Sequence, residues 1–81
     1  MEKINKLKEY LRENNITWEM LSRRVCKIDS TVKEYGKGSY SYWINGIRPW
    51  PGKVAFAVSR AINGEFSVEC LLNKAYIEEI K

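Results

Sequence analysis

The sequence predicts an all-α fold of five or six short helices. Three observations carry that reading. Apolar residues recur at helical spacing, capping residues and Asn, Gly or Pro stops punctuate the runs, and no stretch alternates convincingly as a strand does. At 81 residues the chain fits one domain, 1–81. A domain of this size buries only about 60% of the surface that its unfolded form exposes.

Ile4, Leu7, Tyr10 and Leu11 form one apolar stripe on an otherwise charged first helix. Asn14-Asn15 ends it, because asparagine favours turns and tolerates the left-handed conformation. Thr17 opens the second helix as an N-cap for the amide of Met20, with Ile16 stapling against Leu21. Glu19 complements the positive end of that helix's dipole. Leu21 and Val25 face inward, Arg23 and Arg24 outward. From Lys27 to Gly38 the pattern weakens: Asp29 is placed to cap a brief helix bearing Val32 and Tyr35, closed by Gly36 and Gly38.

Tyr40, Trp43, Ile44 and Ile47 return to helical spacing, and Gly46 stops that helix. Pro49 and Pro51 forbid helix through the next connection, and Pro51 suits the first position of a fourth helix. Val54, Val58, Ala61 and Ile62 make its buried face, and Asn63-Gly64 ends it. Ser67 caps a last helix with Cys70, Leu71, Ile77 and Ile80 inward. The segment 67–81 either closes the core or pairs two subunits.

Composition narrows the function. The chain has no histidine, which removes the usual general base and every Ser-His or Cys-His nucleophile. Cys26 and Cys70 read as reduced, small apolar residues, and two thiols alone cannot fill a zinc site. No catalytic, cofactor or metal residue is expected. The longest apolar run, Val54 to Val58, falls far short of the roughly 20 residues that cross a bilayer, and the reading is of a cytoplasmic protein without a membrane partner. Charge is uneven: Met20–Gly64 carries eight basic residues against two acidic, whereas Glu65–Lys81 carries two against four. A basic middle fits a polyanion-facing surface.

The run Ser39-Tyr40-Ser41-Tyr42-Trp43-Ile44-Asn45-Gly46-Ile47-Arg48-Pro49-Trp50-Pro51 resembles the recognition helix and exit loop of phage Cro and repressor-type (lambda repressor-like) helix-turn-helix regulators. These commonly show V-S-x-W-x-x-G-x-R-x-x-P at this place. Val54 through Leu72 is similar to the YdaS-type Cro-like regulators. The resemblance implies a sequence-specific double-stranded DNA-binding transcriptional regulator that represses by occupying promoter DNA as a homodimer on a dyadic operator. It implies a groove-facing surface of Lys37, Ser39, Ser41, Tyr42 and Asn45. Asn45 would pair an adenine edge, and Tyr42 would meet a thymine methyl or a phosphate. Arg48 and Lys53 would neutralise phosphates, and the helix start at Thr17 would offer backbone donors to the DNA backbone.

One departure stands out. Leu21 and Trp43 lie 22 positions apart, about eight more than a standard helix-turn-helix allows, so an insertion is expected over residues 27–36. A competing register avoids it by making Ile28 to Tyr35 the recognition helix, with Asp29, Ser30, Lys33 and Glu34 outward. Those two acidic side chains would face phosphate, so the later register is preferred. Trp18 reads as an exposed anchor, core or a subunit contact, and Trp50 as rigidly displayed between two prolines. The alternative function is an antitoxin-like or inhibitory protein of a phage or mobile element that uses the scaffold to bind a protein partner.

Overall fold

Five helices and one two-stranded ribbon make up residues 2–80, the part of the chain that the computed structural model describes; the side chains of Glu2 and Ile80 lie outside that description. The elements run β1 (Glu2–Asn5), α1 (Lys6–Glu13), α2 (Trp18–Ile28), α3 (Lys37–Ile44), α4 (Gly52–Ala61), α5 (Val68–Leu72) and β2 (Ile77–Ile80). The fold is therefore mostly helical, as expected, with a small sheet that the sequence did not announce. No helix among the described residues is long and apolar enough to cross a membrane.

The helix boundaries follow from local chemistry. Thr17 and Ser67 start α2 and α5, their hydroxyls accepting from the amides of Met20 (3.2 Å) and Cys70 (3.0 Å). Four helices end alike. The residue after the C-cap turns left-handed, at Asn15, Gly46, Asn63 and Lys74. The next amide then donates back to the carbonyl five residues earlier, as Ile16 does to Leu11 (2.8 Å) and Ile47 to Tyr42 (2.9 Å). This closes the carbonyls that a helix end leaves open. Pro51 serves as the N-cap of α4, one position before its expected place.

Several expectations are overturned, among them the placing of Gly38 at the end of an earlier helix: it lies inside α3. Ile4 belongs to β1, not to the first helix, which starts after Asn5; the Asn5 side chain accepts from the Lys8 amide at 3.0 Å. The last helix stops at Leu72, so Ile77 and Ile80 lie on β2, which pairs antiparallel with β1 in the register Ile4↔Glu78 and Asn5↔Ile77. Residues 29–36 hold no helix: the Asp29 carboxylate instead accepts from the amide and hydroxyl of Thr31, which holds its pKa below the usual carboxylate value. Ile47, past the Gly46 stop, is 65% exposed.

The buried residues form one cluster, drawn from every helix. An aromatic column stands at its centre. Trp43 meets Tyr35 and Tyr40 edge-on, with centroids at 4.9 and 5.2 Å, and lies against Trp50 at 5.5 Å. Trp50 is thus buried rather than displayed, and its indole N–H donates to the Tyr76 hydroxyl at 2.9 Å. Tyr76 in turn donates to the Trp43 carbonyl at 2.8 Å. A distant residue satisfied a polar group that the local sequence left unexplained. The C-terminal segment closes the core through Tyr76 and β2.

Tyr40 is fully buried, and its hydroxyl has no hydrogen-bond partner among the described residues. Ser22 lies close by, but its Oγ donates to the Tyr35 carbonyl at 3.1 Å. Burial pushes the Tyr40 phenol up to about 12, the neighbouring Ser22 hydroxyl opposing; burial also raises Tyr76, against the pull of Trp50. An acid whose pKa is higher folded than unfolded favours the protonated native state. The stability from Tyr40 is therefore complete below pH 10 and lost as pH rises toward 12. Tyr40→Phe should flatten the alkaline limb of a stability–pH curve and leave stability at pH 7 equal or higher by up to about 1 kcal/mol, since an unpaired buried hydroxyl disappears. A loss above about 2 kcal/mol at neutral pH would show that the hydroxyl has a partner.

Candidate nucleic-acid interface

The candidate interface is built on α3, the helix over which the preferred register runs. Tyr40, Trp43 and Ile44 anchor one side of it in the core. Its other side carries Lys37, Ser41, Tyr42 and Asn45, and no acidic residue lies between Lys37 and Arg48. The start of α3 is bare. Gly36 supplies no side-chain cap, and nothing lies within 4 Å of the space that a side chain at Gly36 or Gly38 would fill. The earlier register has no helix to stand on, because residues 29–36 are irregular.

α3 packs against α2, and the connection between them is fixed to α2. Ser22, buried on α2, holds the Tyr35 carbonyl, and the Cys26 thiol donates to the Val32 carbonyl at 3.6 Å. Val32 is buried and Tyr35 half-buried. Residues 29–36 are therefore a loop tacked onto α2 by two side chains, and the loop delivers the aromatic Tyr35 to Trp43. The cysteines are both free and half-buried.

Most of the sequence-derived site residues gather around α3, and one does not. Tyr42 and Arg48 come together: the guanidinium lies 4.8 Å from the exposed Tyr42 ring, and the Arg48 amide donates to the Tyr42 carbonyl at 3.2 Å. Ser41 and Asn45 also meet, the Asn45 amide donating to the Ser41 carbonyl at 2.9 Å and to its hydroxyl at 3.2 Å. Reading an adenine edge with both amide atoms requires Asn45 to leave Ser41. Thr17 shares one cleft with Asn45 and another with Lys37, so the start of α2 lies beside both ends of α3. Ser39 is half-buried. Lys53 stands apart, near Asp29 at the far end of α2, whose carboxylate its charge helps to hold ionised.

Compared with known protein families, curated proteins and solved structures, the chain matches none. The functional reading rests on the site's own chemistry. That chemistry is cationic and hydrogen-bonding, carried on a short helix with buried aromatic supports. Among the described residues, no group of three or more His, Cys, Asp or Glu is arranged to hold a metal ion.

Sequence reasoning left out Lys8, Arg12 and Trp18 as members of this surface. Lys8 and Arg12 stand one turn apart on the exposed face of α1 and line the same cleft as Thr17 and Asn45. Their i, i+4 spacing was the available signal. What placed them near α3 was not local: the Asn5 side chain donates to the Ile44 carbonyl at 2.7 Å and ties the root of α1 to the end of α3. Trp18 is half-buried and lines both clefts.

Proposed function

We propose that the protein is a sequence-specific double-stranded DNA-binding regulator of the helix-turn-helix, Cro- or repressor-like kind, which represses by occupying promoter DNA as a homodimer. The observation that carries this reading is α3 itself. Its core side is locked by Tyr40 and Trp43, and its free side presents Lys37, Ser41, Tyr42, Asn45 and Arg48 without a carboxylate. A helix of this kind suits a major groove about 12 Å wide, where small polar side chains reach base edges and cations meet phosphates. Two copies would double the phosphate contacts and match a dyadic site.

Selection of duplexes from random DNA, followed by anisotropy titrations, tests the proposal. Log affinity should fall with log salt by about 0.9 per phosphate contact. Arg48→Ala should weaken all duplexes alike and lower that slope by about one contact, whereas Asn45→Ala should erode discrimination at one base pair by about 1–3 kcal/mol. If Ser41→Ala, Asn45→Ala and Arg48→Ala combined leave DNA binding untouched, α3 is not the reading helix.

A second reading, a protein-binding inhibitor or antitoxin-like role on the same scaffold, is favoured by one feature. Ile47 is 65% exposed between Gly46 and the Tyr42–Arg48 stack, and an exposed isoleucine beside an aromatic suits a protein contact. A protein with no salt-dependent affinity for random duplex at low salt supports that role instead.

A further inference from the structure

We propose that the cleft between β1, α1 and the end of α3 is a binding site for a small amphipathic organic anion, an apolar ring bearing a carboxylate. We further propose that its occupancy modulates the DNA face, a part of the inference that rests on the functional reading above. The cleft encloses about 630 Å³, within the range of small-molecule sites. Its walls are apolar, formed by Ile4, Leu11, Ile16, Trp18 and Ile77, and the half-buried Trp18 offers an indole to an aromatic ring.

The rim gives the charge of the ligand. Lys3, Lys8 and Arg12 line it against a single acidic residue, Glu9. Lys3 is shared with Glu79 at 3.9 Å, while no ion pair among the described residues engages Lys8 or Arg12. Two free cations over an apolar floor complement an anion with an apolar body. Asn45 and Thr17 complete the lining, and both belong to the surface proposed to meet DNA. A ligand here touches the reading helix at its last turn, where Asn45 holds Ser41.

The test uses 1-naphthaleneacetate as probe, titrated into the full chain and followed by amide and indole resonances. Saturable shifts should centre on Leu11, Ile16, Ile77 and the Trp18 indole, whose signal Trp18→Phe identifies. Arg12→Gln should weaken binding roughly tenfold, as expected for losing a charge-assisted contact, and the neutral 1-naphthaleneethanol should bind weaker by a similar factor. Far-UV circular dichroism establishes that the variant is folded. Shifts spread over α4 and α5, or an affinity that neither the neutral probe nor Arg12→Gln lowers, overturn the site. So does a concentration-dependent dimer that covers Trp18, which makes the cleft a subunit contact.

Saturating probe should change duplex affinity by threefold or more. Bound duplex with unchanged affinity overturns the coupling alone. If no duplex binds at all, the functional reading fails, and the probe titration still decides the cleft on its own.

Discussion

Tyr76→Phe should lower folding stability by about 2–3 kcal/mol and the melting temperature by roughly 10–20 °C, as read from urea and thermal melts. The hydroxyl it removes sits midway in a buried chain, accepting from the Trp50 indole and donating to the Trp43 carbonyl. The two neighbours are not affected equally. The Trp43 carbonyl keeps a second donor, the Gly46 amide at 3.1 Å, whereas the Trp50 N–H, buried at 4% exposure, has no other partner among the described residues. An orphaned buried donor, not the lost bond alone, sets the size of the effect. Trp50→Phe in the Tyr76→Phe background should add less than it does alone, because the orphan is gone. Additive effects of the two substitutions would mean that the hydrogen bond contributes little.

Gly46→Ala should destabilise by about 2 kcal/mol, and Gly64→Ala by only about 1 kcal/mol, although both glycines share a φ of +75°. The shared conformation disfavours any side chain equally. The difference lies in what a Cβ would meet: at Gly46 it would stand 3.0 Å from Ile77 Cδ1 and 3.5 Å from Lys74 Cδ, whereas nothing lies within 4 Å at Gly64. Gly46 is thus the point where the exit of α3 passes β2, and the Lys74 ammonium donates to its carbonyl at 3.0 Å. Chemical denaturation of the pair isolates the contact from the strain. Equal losses at both positions would show that Ile77 gives way freely.

Punctuation was readable from the sequence because it is local. Thr17, Ser67, Asn15, Gly46 and Asn63 act on amides and carbonyls within a few residues of themselves, so the residue type states the geometry. The ribbon was not readable. Neither Lys3-Ile4-Asn5 nor Ile77-Glu78-Glu79 alternates in a way that outranks helical spacing, and each becomes a strand only beside the other end of the chain. Trp50 was misread for the same reason. Its flanking prolines suggest display, while the hydroxyl that receives its N–H lies 26 residues away. Ile47 failed differently: the helical period was continued past a glycine that had already ended the helix. At the candidate interface, the end of α3 before Gly46 followed from sequence, whereas its start at Lys37, ahead of Gly38, and the half-burial of Ser39 did not. The approach of Lys8 and Arg12 did not, because it depends on Asn5 reaching Ile44.

The antiparallel pairing of β1 with β2 closes residues 2–80 into a loop clasped where the two strands meet. Exposed ion pairs, Lys6–Glu78 at 2.8 Å and Lys3–Glu79, sit on that clasp, and the Lys6 amide donates to the Tyr76 carbonyl at 2.8 Å just inside it. In such a closed circuit, the order in which the elements follow one another matters less than their cyclic sequence. The exposed pair Lys33-Glu34, between the anchored Val32 and Tyr35, is then the place to cut the circuit while β2 is joined to β1: α3 would become the first helix and α2 the last, around an unchanged core.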